Sequence, residues 1–243
     1  MSGRRSQDRE LNPDLADELR SEYARRARLD SGKDAYAPLN PAQVYFKGSR
    51  TEAAVRLFRS AGIETISGIR ILEIGSGAGG ILLEYMGLGA SPEHLQGVDV
   101  LESRVEECRD LLPNASVDCV DAQVLPYDDH TFDMAIQYTA FSSVLSQASR
   151  TRMAEEMLRV LVKPAGVIMW YDFWLNPTNR NTVGIRLPEI RRLFPNCEVD
   201  AKRITLAPPI ARRLAKRSFL ACHVLDSLRI FNTHYLALIR QKP

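Results

Sequence analysis

Through the middle of the chain, short continuous apolar runs alternate with longer stretches in which apolar residues return every three or four positions. The runs predict strands over Arg70–Gly75, Leu95–Val100, Ser116–Val120, Asp133–Tyr138 and Gly166–Phe173. The stretches between them predict helices near Gly79–Gly87, Leu101–Leu112 and Arg150–Val162. Strand and helix in alternation, with strands apolar on both sides, predict an α/β fold with a mostly parallel sheet covered on both faces. The tail adds strands near Glu198–Leu206 and Thr233–Arg240, with one helix from Pro208 to Leu228 between them. On that helix Ile210, Leu214, Ala221, Leu225 and Leu228 form the inward stripe, and His223 shares the polar side with Arg212 and Lys216. Ahead of the alternating region, Asn12-Pro13 starts a charged helix with Leu15, Leu19, Tyr23 and Ala27 at four-residue spacing. Asn40-Pro41 marks a second start. Ser49 and Glu52, at capping-box spacing, mark a third, whose face is Ala54, Leu57, Phe58 and Ala61.

At 243 residues and 45% apolar, the chain can bury a sizeable core without disulfides or metals. Thirty-two basic and thirty acidic residues leave a net charge of +2, which argues against nonspecific nucleic-acid binding by the whole surface. The balance is uneven, since residues 201–243 carry nine Lys or Arg against the single acid Asp226. Cys108, Cys119, Cys197 and Cys222 lie far apart, a pattern of reduced thiols rather than a disulfide frame or a zinc site. No apolar stretch resembles a signal peptide or reaches the length of a membrane span, so a cytoplasmic location and no metal are expected.

The sharpest local signal is ILEIGSGAGG, Ile71 to Gly80. Gly75, Gly77 and Gly79 turn the chain from strand to helix and let a ligand approach the backbone. Gly75, Gly77 and Gly80 also satisfy the GxGxxG of dinucleotide binders, so the loop alone leaves two cofactor classes open. Asp99 ends the second strand, where a carboxylate can accept from both hydroxyls of a ribose or cap the following helix.

Further along, VDAQVLPYDDHTFDMAIQYT (Val120–Thr139) resembles the corresponding stretch of class I S-adenosylmethionine-dependent methyltransferases. Glu73 with the glycine loop, Asp99, Asp121-Ala122, Leu125-Pro126-Tyr127, Phe132-Asp133 and MLRVLVKPAG (Met157–Gly166) follow in family order, over Ile71 to Phe173. The resemblance implies a Rossmann-like seven-stranded sheet of order 3-2-1-4-5-7-6 with the last strand antiparallel. It also implies S-adenosylmethionine as cofactor, with Glu73, Gly75, Ser76, Gly77 and Gly79 near its methionine part, Asp99 and Val100 near its ribose, and Asp121 and Ala122 near its adenine. Gln137 completes the expected set. Val120 stands where the family commonly has glycine, and Ala165 replaces the first glycine of a PGG turn. Residues 1–48 are expected to form a helical cap on a domain spanning 49–243, with a helical insertion near 208–228. Arg50 then either pairs with the cofactor carboxylate or is a solvated helix charge.

Ligands of an open α/β sheet lie beyond the carboxyl ends of its strands. Tyr138, Phe141, Tyr171 and Trp174 are therefore the expected acceptor contacts, with Tyr36, Tyr45, Phe46, Trp170 and Phe173 as further aromatic candidates. Asp172 is the candidate general base for a hydroxyl acceptor, its alternative being a loop cap on backbone amides. The expected function is methyl transfer to a small molecule, foremost a hydroxyl of a glycoside, glycolipid or secondary metabolite. A quinone or lipid acceptor is the alternative within that class. Outside it stand a nucleic-acid-binding protein using the basic tail, disfavoured because no NPPY-like tetrapeptide is present, and a non-catalytic cofactor-binding subunit.

Overall fold

A computed structural model describes residues 37–176 and 181–242 together with the isolated Ser21. The helix expected from Asn12 and the aromatic candidate Tyr36 lie outside the described residues. Helix α1 (Pro41–Ser60) leads into β1 (Ile71–Ile74), α2 (Gly80–Gly87), β2 (Leu95–Asp99), α3 (Glu102–Leu111), β3 (Ser116–Cys119) and β4 (Met134–Tyr138). Then come α4 (Gln147–Val160), β5 (Val167–Phe173), α5 (Leu187–Leu193), β6 (Cys197–Leu206), α6 (Pro208–Leu214), α7 (Phe219–Ser227) and β7 (Asn232–Gln241).

All seven strands form one sheet in the order β3-β2-β1-β4-β5-β7-β6. β7 pairs antiparallel with both β5 and β6, and the other pairs are parallel. Alternate residues of each central strand feed opposite faces. Leu72, Ile74, Ala135, Ile168 and Trp170 pack with Met153, Met157 and Val160 of α4. Ile71, Met134, Ile136, Met169 and Leu238 pack with Leu57 and Phe58 of α1, Leu82 of α2 and Val105 of α3. A third, smaller cluster joins α1 to the tail through Ala42, Tyr45, Leu206, Ala211 and Cys222. That docking gives α6 and α7 a seat at the carboxyl end of β6, the edge on which the parallel strands also end.

Three differences from the sequence pattern have identifiable causes. One helix replaces the two starts expected at Asn40-Pro41 and Ser49. Asn40 caps it by accepting from the Ala42 amide (2.9 Å), whereas Ser49 is buried in mid-helix and its hydroxyl bonds Asp226 Oδ2 (3.0 Å), a partner 177 positions away. The single helix expected over Pro208–Leu228 is broken after Leu214, and Ser218 recaps its second half by accepting from the Ala221 amide (3.1 Å). Because of the break Leu228 is exposed rather than inward. Helix α5 escapes the periodicity, being two turns long with proline near its start.

Candidate active site

The turn after β1 is built around two carbonyl and carboxylate acceptors of β2. The Gly75 and Ser76 amides donate to the Val98 carbonyl (2.8 and 2.9 Å), and the Gly77 amide donates to Asp99 Oδ2 (2.9 Å). Gly75 has φ +74°, and a Cβ there would stand 2.8 Å from Ala140 Cβ, so this position admits neither the strain nor the bulk of a side chain. Ala140 belongs to the turn after β4, so the two loops that meet at this edge of the sheet are fitted to each other.

Between them opens a cleft of about 100 Å³ lined by Ile74, Gly75, Val98, Asp99, Val100, Val120, Asp121, Ala122, Tyr138, Thr139, Ala140, Ser143, Val144 and Met153. Of the expected cofactor residues, the structure brings Gly75, Asp99, Val100, Asp121 and Ala122 to this lining, with Tyr138 from the acceptor set. Ser76, Gly77 and Gly79 shape the loop without lining the cleft. Val144 and Met153, contributed from beyond β4, carry no signal in the sequence that separates them from core residues.

Glu73 is buried beside the glycine loop, and burial holds its carboxyl well above the ordinary carboxylate range, with Asp99 and Glu84 adding to the effect. Its Oε2, like the Oγ of Ser76, is buried without a hydrogen-bond partner. Native proteins rarely leave such atoms unmet, and both lie behind the glycine loop rather than on the cleft lining. Asp99 accepts from the Leu101 amide (3.0 Å) as well as from Gly77, which joins the two roles weighed for it. Burial raises its pKa against those bonds. Asp121 accepts from the Gln123 amide and side chain (2.9 and 3.0 Å), holding its carboxylate at the cleft wall.

Arg50 is not a solvated charge. Its guanidinium grips both oxygens of Glu84 (2.6 and 2.8 Å) and lies 5.5 and 5.4 Å from the ring centres of Tyr138 and Tyr171. Its Nε is a third buried atom without a partner. Tyr138 in turn shares a hydrogen bond with Tyr85 (3.1 Å).

Other expected contacts have partners within the protein and lie off the cleft lining. Phe141 is fully buried, its ring 4.7 Å from Trp170. Gln137 is buried, accepting from the Ala140 amide (3.1 Å). Tyr171 bonds Thr205 (2.9 Å) and stacks on His234 (4.6 Å, 6°). Trp174 donates to the Asn232 carbonyl (2.8 Å) beneath Arg203 (4.5 Å).

Asp172 departs most from expectation. Its carboxylate is fully buried, does not line the cleft, and accepts from the Ser142 and Phe173 amides (3.0 and 2.8 Å). The geometry is that of a loop cap, because a base must reach its proton and this one is enclosed. Burial outweighs those bonds and pushes its pKa up to about 7. The folded state then holds a proton that the unfolded state releases from about pH 4 upward, so this stabilising contribution is lost as pH rises through 7. His234, buried and lowered to about 3, works in the opposite sense. Comparing wild type with Asp172→Asn separates the two. In denaturant titrations, the wild type is expected to lose up to about 4 kcal/mol relative to the variant between pH 4 and 8. A constant difference across that range would refute the assignment.

A family profile described as a methyltransferase domain matches residues 71–166, the segment holding the glycine loop and most of the cleft lining. Residues 71–166 of the chain are thus similar to the methyltransferase-domain family, the same stretch that carries the glycine loop and Asp99. The cofactor is S-adenosylmethionine, and the Asp99 and Asp121 carboxylates on the cleft wall have the acceptor chemistry that its hydroxyl and amino groups call for. Among the chain's relatives, sterol 4-C-methyltransferase strm-1 of Caenorhabditis elegans is 28% identical over 136 residues, 52% of the chain and 39% of the relative. The phthiotriol/phenolphthiotriol dimycocerosates methyltransferase 1 of Mycobacterium ulcerans is 32% identical over 123 residues, 50% of the chain and 43% of the relative. The chain thus spans about two fifths of the length of these curated relatives. In fold, the chain is similar to an S-adenosylmethionine-dependent methyltransferase of Mesorhizobium loti, with TM-score 0.57, 17% identity, and 78% and 96% of the two chains covered.

Proposed function

We propose that the protein transfers the methyl group of S-adenosylmethionine to a hydroxyl of a small-molecule acceptor. One observation carries the choice of acceptor. The Arg50 guanidinium, paired with Glu84, already occupies the faces of Tyr138 and Tyr171 beside the cleft, so an ammonium group cannot take those faces for itself and must besides shed its proton before its nitrogen can accept a methyl group. A neutral hydroxyl meets no such penalty. Lipid-like acceptors are the second reading, supported by the sterol and dimycocerosate relatives.

In this reading Asp99 takes the ribose hydroxyls, Asp121 the adenine amino group, and Glu73 with the glycine loop the methionine part. S-adenosylmethionine supplies, when bound, a methyl carbon activated by the adjoining sulfonium. The chain's own contribution is placement, which can account for much of the barrier reduction in a displacement of this kind. Asp172 is assigned a positioning part, holding the Ser142 amide and thereby the turn that carries Thr139 and Ser143 to the cleft wall. The segment before Ser49 is assigned the part of a cap.

Calorimetric titration is expected to show binding of S-adenosylmethionine and of its demethylated product, and none of NAD or NADP. Mass spectrometry of a metabolite extract incubated with protein and cofactor is then expected to show O-methylated product. Dinucleotide binding would overturn the cofactor assignment. An N-methylated product would overturn the acceptor, and cofactor binding without turnover would favour a non-catalytic partner.

A further inference from the structure

Thirteen large apolar side chains are exposed among the described residues, and six of them fall between Phe219 and Phe231. Leu220, Val224 and Leu228 recur every fourth residue along α7 and its C-cap, forming one outward stripe that is 74, 54 and 53% exposed. Ile230 and Phe231 carry it into the approach to β7, at 69 and 44%. Apolar residues scattered singly need no explanation, but a contiguous patch does.

The charge around the patch has one sign. Arg213, Lys216 and Arg217 precede the stripe, Arg229 interrupts it, and all four are exposed. Asp226, the acid of this segment, is turned toward α1, where it accepts from Ser49. Cations beside exposed Leu, Ile and Phe are the make-up of a surface that settles into a lipid interface. A second copy of the same face would set cations against cations. A nucleic acid would use the cations and leave the apolar stripe in water. Among the described residues no helix is long and apolar enough to cross a membrane, so lying on a bilayer is the mode open to this segment.

We propose that α6, α7 and the residues up to Phe231 form a docking surface for an anionic lipid bilayer. Leu220, Val224, Leu228 and Ile230 enter the interfacial layer, and Arg213, Lys216, Arg217 and Arg229 meet the lipid phosphates. The insertion begins where β6 ends, on the same edge of the sheet as the cofactor cleft, so docking brings the cleft toward the bilayer. The proposal does not depend on the acceptor chemistry, because docking is read by partition alone.

The test is sedimentation of the purified chain with vesicles of phosphatidylcholine, alone or with phosphatidylglycerol. The chain is expected to pellet with the anionic vesicles, weakly with the neutral ones, and less as salt is raised. Arg217→Gln is expected to lower the partition coefficient about fivefold. Leu220→Glu with Ile230→Glu is expected to lower it roughly tenfold or more, since two inserted apolar side chains are lost. Leu111→Glu, at an exposed position on α3 near the opposite edge of the sheet, leaves it unchanged. Circular dichroism checks that each variant is folded, and the surface charge change at Arg217 keeps the test open if the double variant is not. Failure to pellet with anionic vesicles, or pelleting that neither set of changes reduces, would overturn the proposal. So would a dimer abolished by the double change, which assigns the face to a second copy, or duplex DNA competing the chain off the vesicles.

Discussion

Asp99→Ala is expected to weaken S-adenosylmethionine binding by roughly 2–4 kcal/mol, a loss of about thirty-fold to a thousand-fold in affinity. The carboxylate lines the cleft, and the two charge-assisted hydrogen bonds proposed for it to the ribose would disappear with it. The same change removes the acceptor of the Gly77 and Leu101 amides. Two backbone donors at a nearly buried site then go unmet, costing about 1–3 kcal/mol of stability besides. Asp99→Asn keeps one acceptor oxygen but turns its NH2 toward the other amide donor, so it is expected to recover only part of the stability and little of the affinity. Calorimetry and thermal denaturation on both variants separate the effects. Unchanged affinity with a lowered Tm would leave Asp99 as a cap for the loop and α3 and nothing more.

Arg50→Met is the second large effect. The side chains of Arg50 and Glu84 are 17% and 14% exposed, so water screens their pairing only in part. Methionine preserves the length of the side chain and leaves Glu84 unpaired beside Glu73, whose carboxyl already suffers from burial. The expected cost is about 2–4 kcal/mol of stability, discounted from the penalty of a fully enclosed broken pair. Arg50→Met combined with Glu84→Leu is expected to restore most of it, because the uncompensated charge goes too. If Arg50 also reaches the cofactor carboxylate, the double variant remains weak in cofactor binding although its stability has returned. A double variant that binds cofactor like the wild type would confine Arg50 to holding α1 against α2.

The central strands β1, β4 and β5 were legible almost to the residue, because a sheet buried on both faces writes such a strand as a nearly unbroken apolar run. β2, expected over Leu95–Val100, occupies Leu95–Asp99, and β5, expected from Gly166, starts at Val167. The glycine loop was legible for a related reason, since a tight turn onto a helix admits few other residues. What the pattern hid depends on partners distant in sequence. Ser49 has the local spacing of a capping residue, and only the fold brings Asp226 to its hydroxyl. Arg50 and Glu84 look like two surface charges until α1 lies across α2. Asp172 was correctly placed at the end of β5, but whether its carboxylate faces a cleft or two amides is decided by the path of the Thr139–Val144 turn. The break between α6 and α7 hides because Leu214 and Leu225 keep helical spacing across it.

The segment common to the family, residues 71–166, stops one residue before β5. It carries β1 to β4 with the glycine loop, Asp99 and Asp121, while α1, β5 to β7 and the α6–α7 insertion lie outside it. The boundary runs down the sheet between β4 and β5, so the whole cleft lining, Ile74 to Met153, falls on one side of it and the α6–α7 insertion on the other. Any change in β1 to β4 must still hold one invariant molecule. Changes beyond Gly166 need only keep the sheet paired, and the long antiparallel β6–β7 pair absorbs them without disturbing the strands that carry the glycine loop. Rewriting the stretch between β6 and β7 would therefore change the outward face of α7 while leaving the cleft lining as it is.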